Sequence, residues 1–207
     1  MIDFEKSALI IIDLQNDFVR QGAPMEVEDA RTSLNKISQL VIAARKKEIP
    51  IVYTKFVTGP QKTLIWDWSP QIGAFGACRR GLERSYEDVN GMRLCSDIVD
   101  EIKPDNKDYI VEKYGYSAFK NTNLRDILSS EGITSLIVVG TVTQICVADT
   151  VHDAFSLGYK VLVVSDLVTS FMPDLHNAFL TNFAMKFGWV EVSDKVINSI
   201  HKLHREK

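Results

Sequence analysis

Short apolar runs alternate along most of the chain with longer stretches of helical periodicity. Six runs have the length of a buried strand: residues 8–14, 51–56, 108–112, 136–139, 160–164 and 189–192. Between the first two, apolar residues recur every three or four positions, at Leu34, Ile37, Val41 and Ala44. This alternation predicts an α/β fold built on a mainly parallel sheet. Because the pattern has no internal repeat or boundary, we interpret residues 1–207 as a single domain.

One long insertion, residues 57–100, has no clear periodicity. Its notable side chains are two tryptophans and three arginines: Trp66, Trp68, Arg79, Arg80 and Arg84. An irregular segment of this length in a compact domain is typical of a functional lid, a binding loop or a partner contact. The tryptophans are compatible with the core, a pocket or an interface. The arginines fit a solvated surface, but together with Lys55 they could also bind a substrate carboxylate.

Composition excludes several classes of function. The 207 residues are 45% hydrophobic and 25% charged, and the formal net charge is −3. A slightly acidic chain gives no support to nucleic-acid or anionic-membrane binding. The chain has no apolar run of membrane-span length, and its first residues are acidic where a signal peptide is basic, so we expect a cytoplasmic protein. Three cysteines without metal-ligand spacing indicate neither a disulfide framework nor a zinc site.

Three reactive side chains fall at the ends of predicted strands: Asp13, Lys113 and Cys146. The carboxyl ends of strands in an open parallel sheet converge on one crevice. A carboxylate there can take the proton of a thiol, and a lysine cation favours the thiolate. A helix N-terminus after the strand would also lower the pKa of Cys146. Cysteine, however, is often a small core residue, and Asp13 alone would fit a turn or cap.

Three stretches of the sequence resemble the motifs of a known enzyme family. Residues 8–18 (ALIIIDLQNDF), 112–119 (EKYGYSAF) and 140–147 (GTVTQICV) are similar to the aspartate, lysine and nucleophile motifs of the isochorismatase-like cysteine hydrolases. The resemblance implies a three-layer α/β/α sandwich with a six-stranded, Rossmann-like sheet. It also implies a catalytic triad of Asp13, Lys113 and Cys146, and a cis peptide bond before Val142. The backbone N–H groups of Val142 and Cys146 would then form the oxyanion hole.

Departures from the family pattern narrow the expected activity. Nicotinamidases of this family carry an Asp-x-His zinc motif after the second strand, where this chain has residues 53–58 (YTKFVT) without histidine. We therefore expect no catalytic metal and no cofactor. The isochorismatases proper lack the nucleophilic cysteine. With these two groups set aside, the chain resembles the N-carbamoylsarcosine, biuret and ureidoacrylate amidohydrolases. This resemblance implies hydrolysis of a C–N bond in a small amide or carbamoyl (ureido) compound through a thioester.

Alternatives remain open at this point. The chain could be a nicotinamidase- or isochorismatase-type hydrolase of the same fold, or a catalytically silent scaffold. Labelling of Cys146 by an electrophile below the pH at which a free thiol reacts would distinguish a catalyst from a scaffold. A dinucleotide-dependent enzyme is disfavoured, because the first strand lacks a G-x-G-x-x-G turn.

The partners expected are a small-molecule substrate and further copies of the chain, forming a dimer or tetramer through exposed aromatic residues. The side chains expected to bind the substrate are Phe18, Lys55, Trp66, Trp68, Arg79 and Tyr116.

Overall fold

The computed structural model describes residues 2–59 and 76–203. Six strands form one sheet: β1 (Ser7–Ile12), β2 (Ile51–Phe56), β5 (Tyr109–Lys113), β6 (Ser135–Thr141), β7 (Lys160–Thr169) and β8 (Trp189–Glu191). The strand order is β5-β2-β1-β6-β7-β8, and every neighbouring pair is parallel. The predicted α/β fold with a six-stranded parallel sheet is therefore confirmed.

Helices pack on both faces of this sheet. They are α1 (Asn16–Val19), α2 (Glu28–Lys46), α3 (Leu124–Ser130), α4 (Ala148–Ser156), α5 (Pro173–Lys186) and α6 (Ser193–His201). One core cluster joins the sheet to α2 and α6, and a second joins it to α3, α4 and α5. The strands read as continuous apolar runs because both of their faces are covered. Among the described residues, none of the helices combines the length and apolar character needed to cross a membrane.

The ends of β1 and β6 approach each other very closely at Gly140. Its φ of +118° lies in a region that other residues avoid, and an added Cβ would lie 2.1 Å from the carbonyl oxygen of Ile12. Only glycine fits there. The contact brings the residue after β1, Asp13, beside the loop after β6, so this glycine sets the spacing of the candidate site.

The described part of the insertion has a regular element that the sequence pattern did not predict. Strands β3 (Glu83–Tyr86) and β4 (Val89–Leu94) form an antiparallel hairpin outside the main sheet, followed by a 3₁₀ turn at Asp100–Ile102. Its side chains are mostly exposed, so the apolar alternation that marks a half-buried strand is absent. The hairpin lies between β2 and β5 in the sequence.

Candidate active site

Asp13 follows the last residue of β1 and is fully buried. Its φ of +51° is the left-handed conformation, which turns the chain sharply at the strand end. The Thr54 hydroxyl fixes the residue twice, donating to Asp13 Oδ1 at 2.6 Å and accepting from the Asp13 N–H at 3.1 Å. The carboxylate of Asp13 is thus held in one orientation in the protein interior.

Lys113 is the last residue of β5 and reaches across β2 to Asp13. Its Nζ lies 2.6 Å from Asp13 Oδ2, and both side chains are completely buried. The ammonium also donates to the Gly115 carbonyl at 3.1 Å and lies 5.2 Å from the centre of the Phe56 ring. Burial opposes its charge, but Asp13 and Cys146 outweigh burial and raise the pKa of Lys113, so the lysine stays cationic.

Cys146 lies in a π-helical turn, Thr143–Val147, between β6 and α4. The carbonyl of Cys146 accepts a hydrogen bond from the Thr150 hydroxyl at 2.7 Å, and the same hydroxyl accepts from the Ala118 N–H at 3.0 Å. Thr150 therefore ties the cysteine turn to the loop that follows Lys113. The peptide bond between Thr141 and Val142 is cis.

Asp13 and Lys113 both act electrostatically on the Cys146 thiol, so the structure brings the three residues together. Burial raises the pKa of the Cys146 thiol well above its usual value. Lys113 opposes this rise, and Asp13 adds to it. The expectation of a lowered thiol pKa was wrong, because desolvation of the anion outweighs the lysine charge. The direction of this pKa shift favours the protonated form of Cys146.

A cavity of about 440 Å³ opens onto Cys146. Its described lining consists of Phe18, Pro24, Met25, Glu26, Phe56, Tyr116, Val142, Ile145, Cys146 and Phe171. Phe56 lies between Phe18 and Tyr116, with ring centroids 6.5 Å and 6.4 Å away, so three aromatic rings form one side of the cavity. The cavity has the size and mostly apolar lining of a small-molecule site. Of the expected substrate-binding residues, the structure places Phe18 and Tyr116 there.

Lys55 and Arg79 are not among the described residues that line the cavity. Lys55 forms an ion pair with Asp97 at 2.7 Å. Successive side chains of a strand point to opposite faces, and its neighbours Thr54 and Phe56 face the site, so Lys55 faces away. Arg79 is exposed. The described structure therefore gives no support to their assignment to substrate binding, which stays a prediction.

Two further arginines of the insertion form ion pairs away from the cavity. Arg80 pairs with Glu112 at 2.7 Å, and Arg84 pairs with the buried Asp17 at 3.2 Å. Trp66 and Trp68 lie outside the described residues. The homo-oligomer inferred from those tryptophans stays a prediction.

Some residues at the site were not recognised from the sequence. The side-chain amide of Gln15 forms two hydrogen bonds of 2.8 Å with the backbone of Phe56. Gln15 Nε2 donates to the Phe56 carbonyl, and Gln15 Oε1 accepts from the Phe56 N–H. Thr54 and Phe56 end β2 at the same edge as Asp13 and Lys113, so the strand-end rule could have found them. Glu26 and Phe171 come from loops, where the sequence pattern carries no such signal.

No group of three or more histidine, cysteine, aspartate or glutamate side chains suited to a metal ion occurs among the described residues. Near Asp13 on β2, the structure has the Thr54 hydroxyl instead of a histidine.

Comparison with known proteins shows the family of the chain. The family model described as the isochorismatase domain matches residues 7–194. The chain belongs to the isochorismatase family. A ureidoacrylate amidohydrolase RutB from Klebsiella pneumoniae is 32% identical over 206 residues, covering 90% of this chain and 83% of the relative. The expected family and the expectation of a hydrolase are therefore confirmed.

Solved structures of family members share the fold. A cysteine hydrolase from Pseudomonas syringae pv. phaseolicola superposes with a TM-score of 0.84 at 25% identity, covering 97% of this chain and 94% of that one. An N-carbamoylsarcosine amidase from Thermoplasma acidophilum gives a TM-score of 0.72 at 26% identity, covering 91% and 97%. The names of these relatives agree with the amidohydrolase branch that the motifs resemble, so that resemblance is confirmed.

Proposed function

We propose that this isochorismatase-family protein is a metal-independent cysteine amidohydrolase that cleaves a C–N bond of a small amide or carbamoyl compound. The observation that carries the proposal is the convergence of Asp13, Lys113 and Cys146, from three strand ends, at a cavity of about 440 Å³. A thiol, a base and a fixed cation are the groups that nucleophilic acyl transfer needs.

The reaction begins with proton transfer. Asp13 takes the proton of Cys146 Sγ as the sulfur attacks the substrate carbonyl carbon, so the thiolate is formed only as the new C–S bond forms. This timing follows from the raised pKa of the thiol. Lys113 remains cationic beside both groups and offsets the negative charge on whichever of them carries it.

The tetrahedral intermediate carries its negative charge on the former carbonyl oxygen. In the proposal, the backbone N–H groups of Val142 and Cys146 stabilise that oxygen, and one such donor is typically worth about 3–4 kcal/mol. The C–N bond then breaks, protonated Asp13 gives its proton to the leaving nitrogen, and ammonia or an amine departs. The acyl group remains on Cys146 as a thioester.

Water completes the cycle. Asp13 takes a proton from a water molecule, the hydroxide adds to the thioester carbonyl, and the C–S bond breaks with return of the proton to Cys146. The products are a carboxylic or carbamic acid and the free enzyme.

The desolvation cost of the buried ion pair argues against a catalytically silent scaffold. Asp13 and Lys113 form a completely buried ion pair. A buried pair of this kind is often no more stable than apolar residues of the same volume, because both charges lose their hydration. A protein without turnover gains nothing evident from placing that pair against a thiol.

Ammonia release from a substrate panel tests the function. The panel holds small aliphatic amides, carbamoyl amino acids, biuret and nicotinamide, each incubated with the wild type and with Cys146→Ala. We expect at least one compound of the amide or carbamoyl class to release ammonia with the wild type only. Addition of a chelator is expected to leave that rate unchanged. Release that depends on added zinc, or that persists in Cys146→Ala, would contradict the proposal.

A further inference from the structure

Charge is distributed unevenly among the side chains that line the cavity. Of its described lining residues, Glu26 alone carries a charged side chain; the others are apolar or aromatic residues and the thiol of Cys146. The chemistry of the substrate beyond the reacting carbonyl is therefore set by apolar surface and one carboxylate.

Glu26 is held in a fixed position. Its Oε1 forms an ion pair with Arg31 Nη1 at 2.8 Å, and its Oε2 accepts a hydrogen bond from the Gly22 N–H at 2.9 Å. Arg31 also donates to the Val19 carbonyl at 2.8 Å, so the arginine anchors the loop before α2. A carboxylate accepts about four hydrogen bonds, so each Glu26 oxygen keeps acceptor capacity for a substrate N–H or O–H group.

A substrate carboxylate would lack a cation in the described part of the cavity. Lys113 is buried against Asp13, and Arg31 is already paired with Glu26 and does not line the cavity. Three basic residues near the insertion are engaged elsewhere: Lys55 with Asp97, Arg80 with Glu112 and Arg84 with Asp17. The exposed Arg79 is not among the described residues that line the cavity. An anion would therefore lose its hydration next to Glu26 without a compensating partner.

We propose that Glu26 determines substrate class, selecting amides whose acyl part is uncharged and excluding those that carry a carboxylate. The inference rests on the proposed amidohydrolase function and narrows it. It is the opposite of the expectation, drawn from Lys55 and the arginines of the insertion, that the substrate carries a carboxylate.

A pair of compounds with the same shape and different charge tests this specificity. Glutaramate and glutaramide differ only in a carboxylate and a carboxamide, and hexanamide adds an apolar reference. The variants are Glu26→Gln, which keeps the shape and an acceptor oxygen, and Glu28→Gln, an exposed control with the same change in net charge. Melting curves of both variants check that the fold is unchanged.

The wild type is expected to hydrolyse glutaramide with a kcat/KM at least about tenfold above that for glutaramate, after halving for its two identical amide groups. Glu26→Gln is expected to remove most of this preference, mainly by improving the value for glutaramate. Glu28→Gln is expected to keep it. Equal use of both compounds by the wild type, or an unchanged ratio in Glu26→Gln, would overturn the inference.

Binding to Cys146→Ala, measured by calorimetry, separates specificity from chemistry. The same order of affinities is expected there, with glutaramide above glutaramate and the difference lost on adding Glu26→Gln. If that order is found while the wild type hydrolyses neither these compounds nor any member of the substrate panel, the proposed function fails and the role of Glu26 stands. If no uncharged compound binds, the inference about Glu26 is overturned.

Discussion

Replacing Cys146 with alanine is expected to lower ammonia release by at least about 10⁴-fold, because loss of a catalytic nucleophile removes the acyl-transfer route altogether. The side chain is almost fully buried, and alanine is smaller, so the fold should accept the change at a cost of about 1 kcal/mol in the free energy of unfolding. The rate and a melting curve, measured on the same preparation, separate these two effects.

Two further variants test this prediction: Cys146→Ser, and Cys95→Ala as a control. Serine keeps an atom that could attack, but its hydroxyl is a much weaker acid than a thiol, so its rate should stay close to that of the alanine variant. Cys95 is another buried cysteine, whose Sγ donates to the Arg79 carbonyl at 3.1 Å. Cys95→Ala is expected to retain turnover. A folded Cys146→Ala that remains active would show that the chemistry lies elsewhere.

Changing Asp13 to asparagine is expected to reduce kcat by about 10²–10⁴-fold or more, since general base catalysis alone is typically worth that factor. Asparagine keeps the shape of the side chain and can still interact with the Thr54 hydroxyl, but it cannot take the proton of Cys146. Because burial raises the pKa of that thiol, the enzyme has little thiolate to use without the base. Single-turnover ammonia release measures this chemical step directly.

The same substitution leaves the Lys113 ammonium buried without its partner. Removing one member of a buried ion pair typically costs about 3–5 kcal/mol in stability, so Asp13→Asn should unfold at lower denaturant concentration than the wild type. The double variant Asp13→Asn, Lys113→Met removes the unpaired charge. It is expected to recover stability without recovering activity. Recovery of both, or full activity in folded Asp13→Asn, would contradict the role of Asp13 as the base.

Much of the fold was predictable because the sheet is buried on both faces. Apolar runs such as that of β6, between Ser135 and Thr141, report this burial directly, and their order with the helices fixed the fold class. The same runs showed where strands end, which was enough to propose that Asp13, Lys113 and Cys146 meet. The length of the lysine side chain then lets Lys113 cross β2, as the structure shows.

The predictions that the structure does not support depend on contacts that the sequence pattern does not record. Lys55 sits at the same strand end as Thr54, but the two-residue period of a strand turns it towards Asp97. The pKa of Cys146 depends on how completely the thiol is removed from water, which the position of a helix after the strand does not reveal.

The sequence pattern predicts least about the loops. Glu26 enters the cavity because Gly22 and Arg31 hold it there, and neither contact has a sequence signature. The β3–β4 hairpin was missed for a related reason: it is mostly exposed, so burial imposes no alternation on it.

The central claim is an acyl group carried on Cys146, and partitioning with hydroxylamine tests it most directly. The wild type is supplied with an amide and with the methyl ester of the same acid, and hydroxamate and acid are measured at several hydroxylamine concentrations. A common thioester has lost its leaving group before the partition occurs, so we predict the same hydroxamate-to-acid ratio from both substrates. Turnover without hydroxamate, or a ratio that changes with the leaving group, would contradict the thioester.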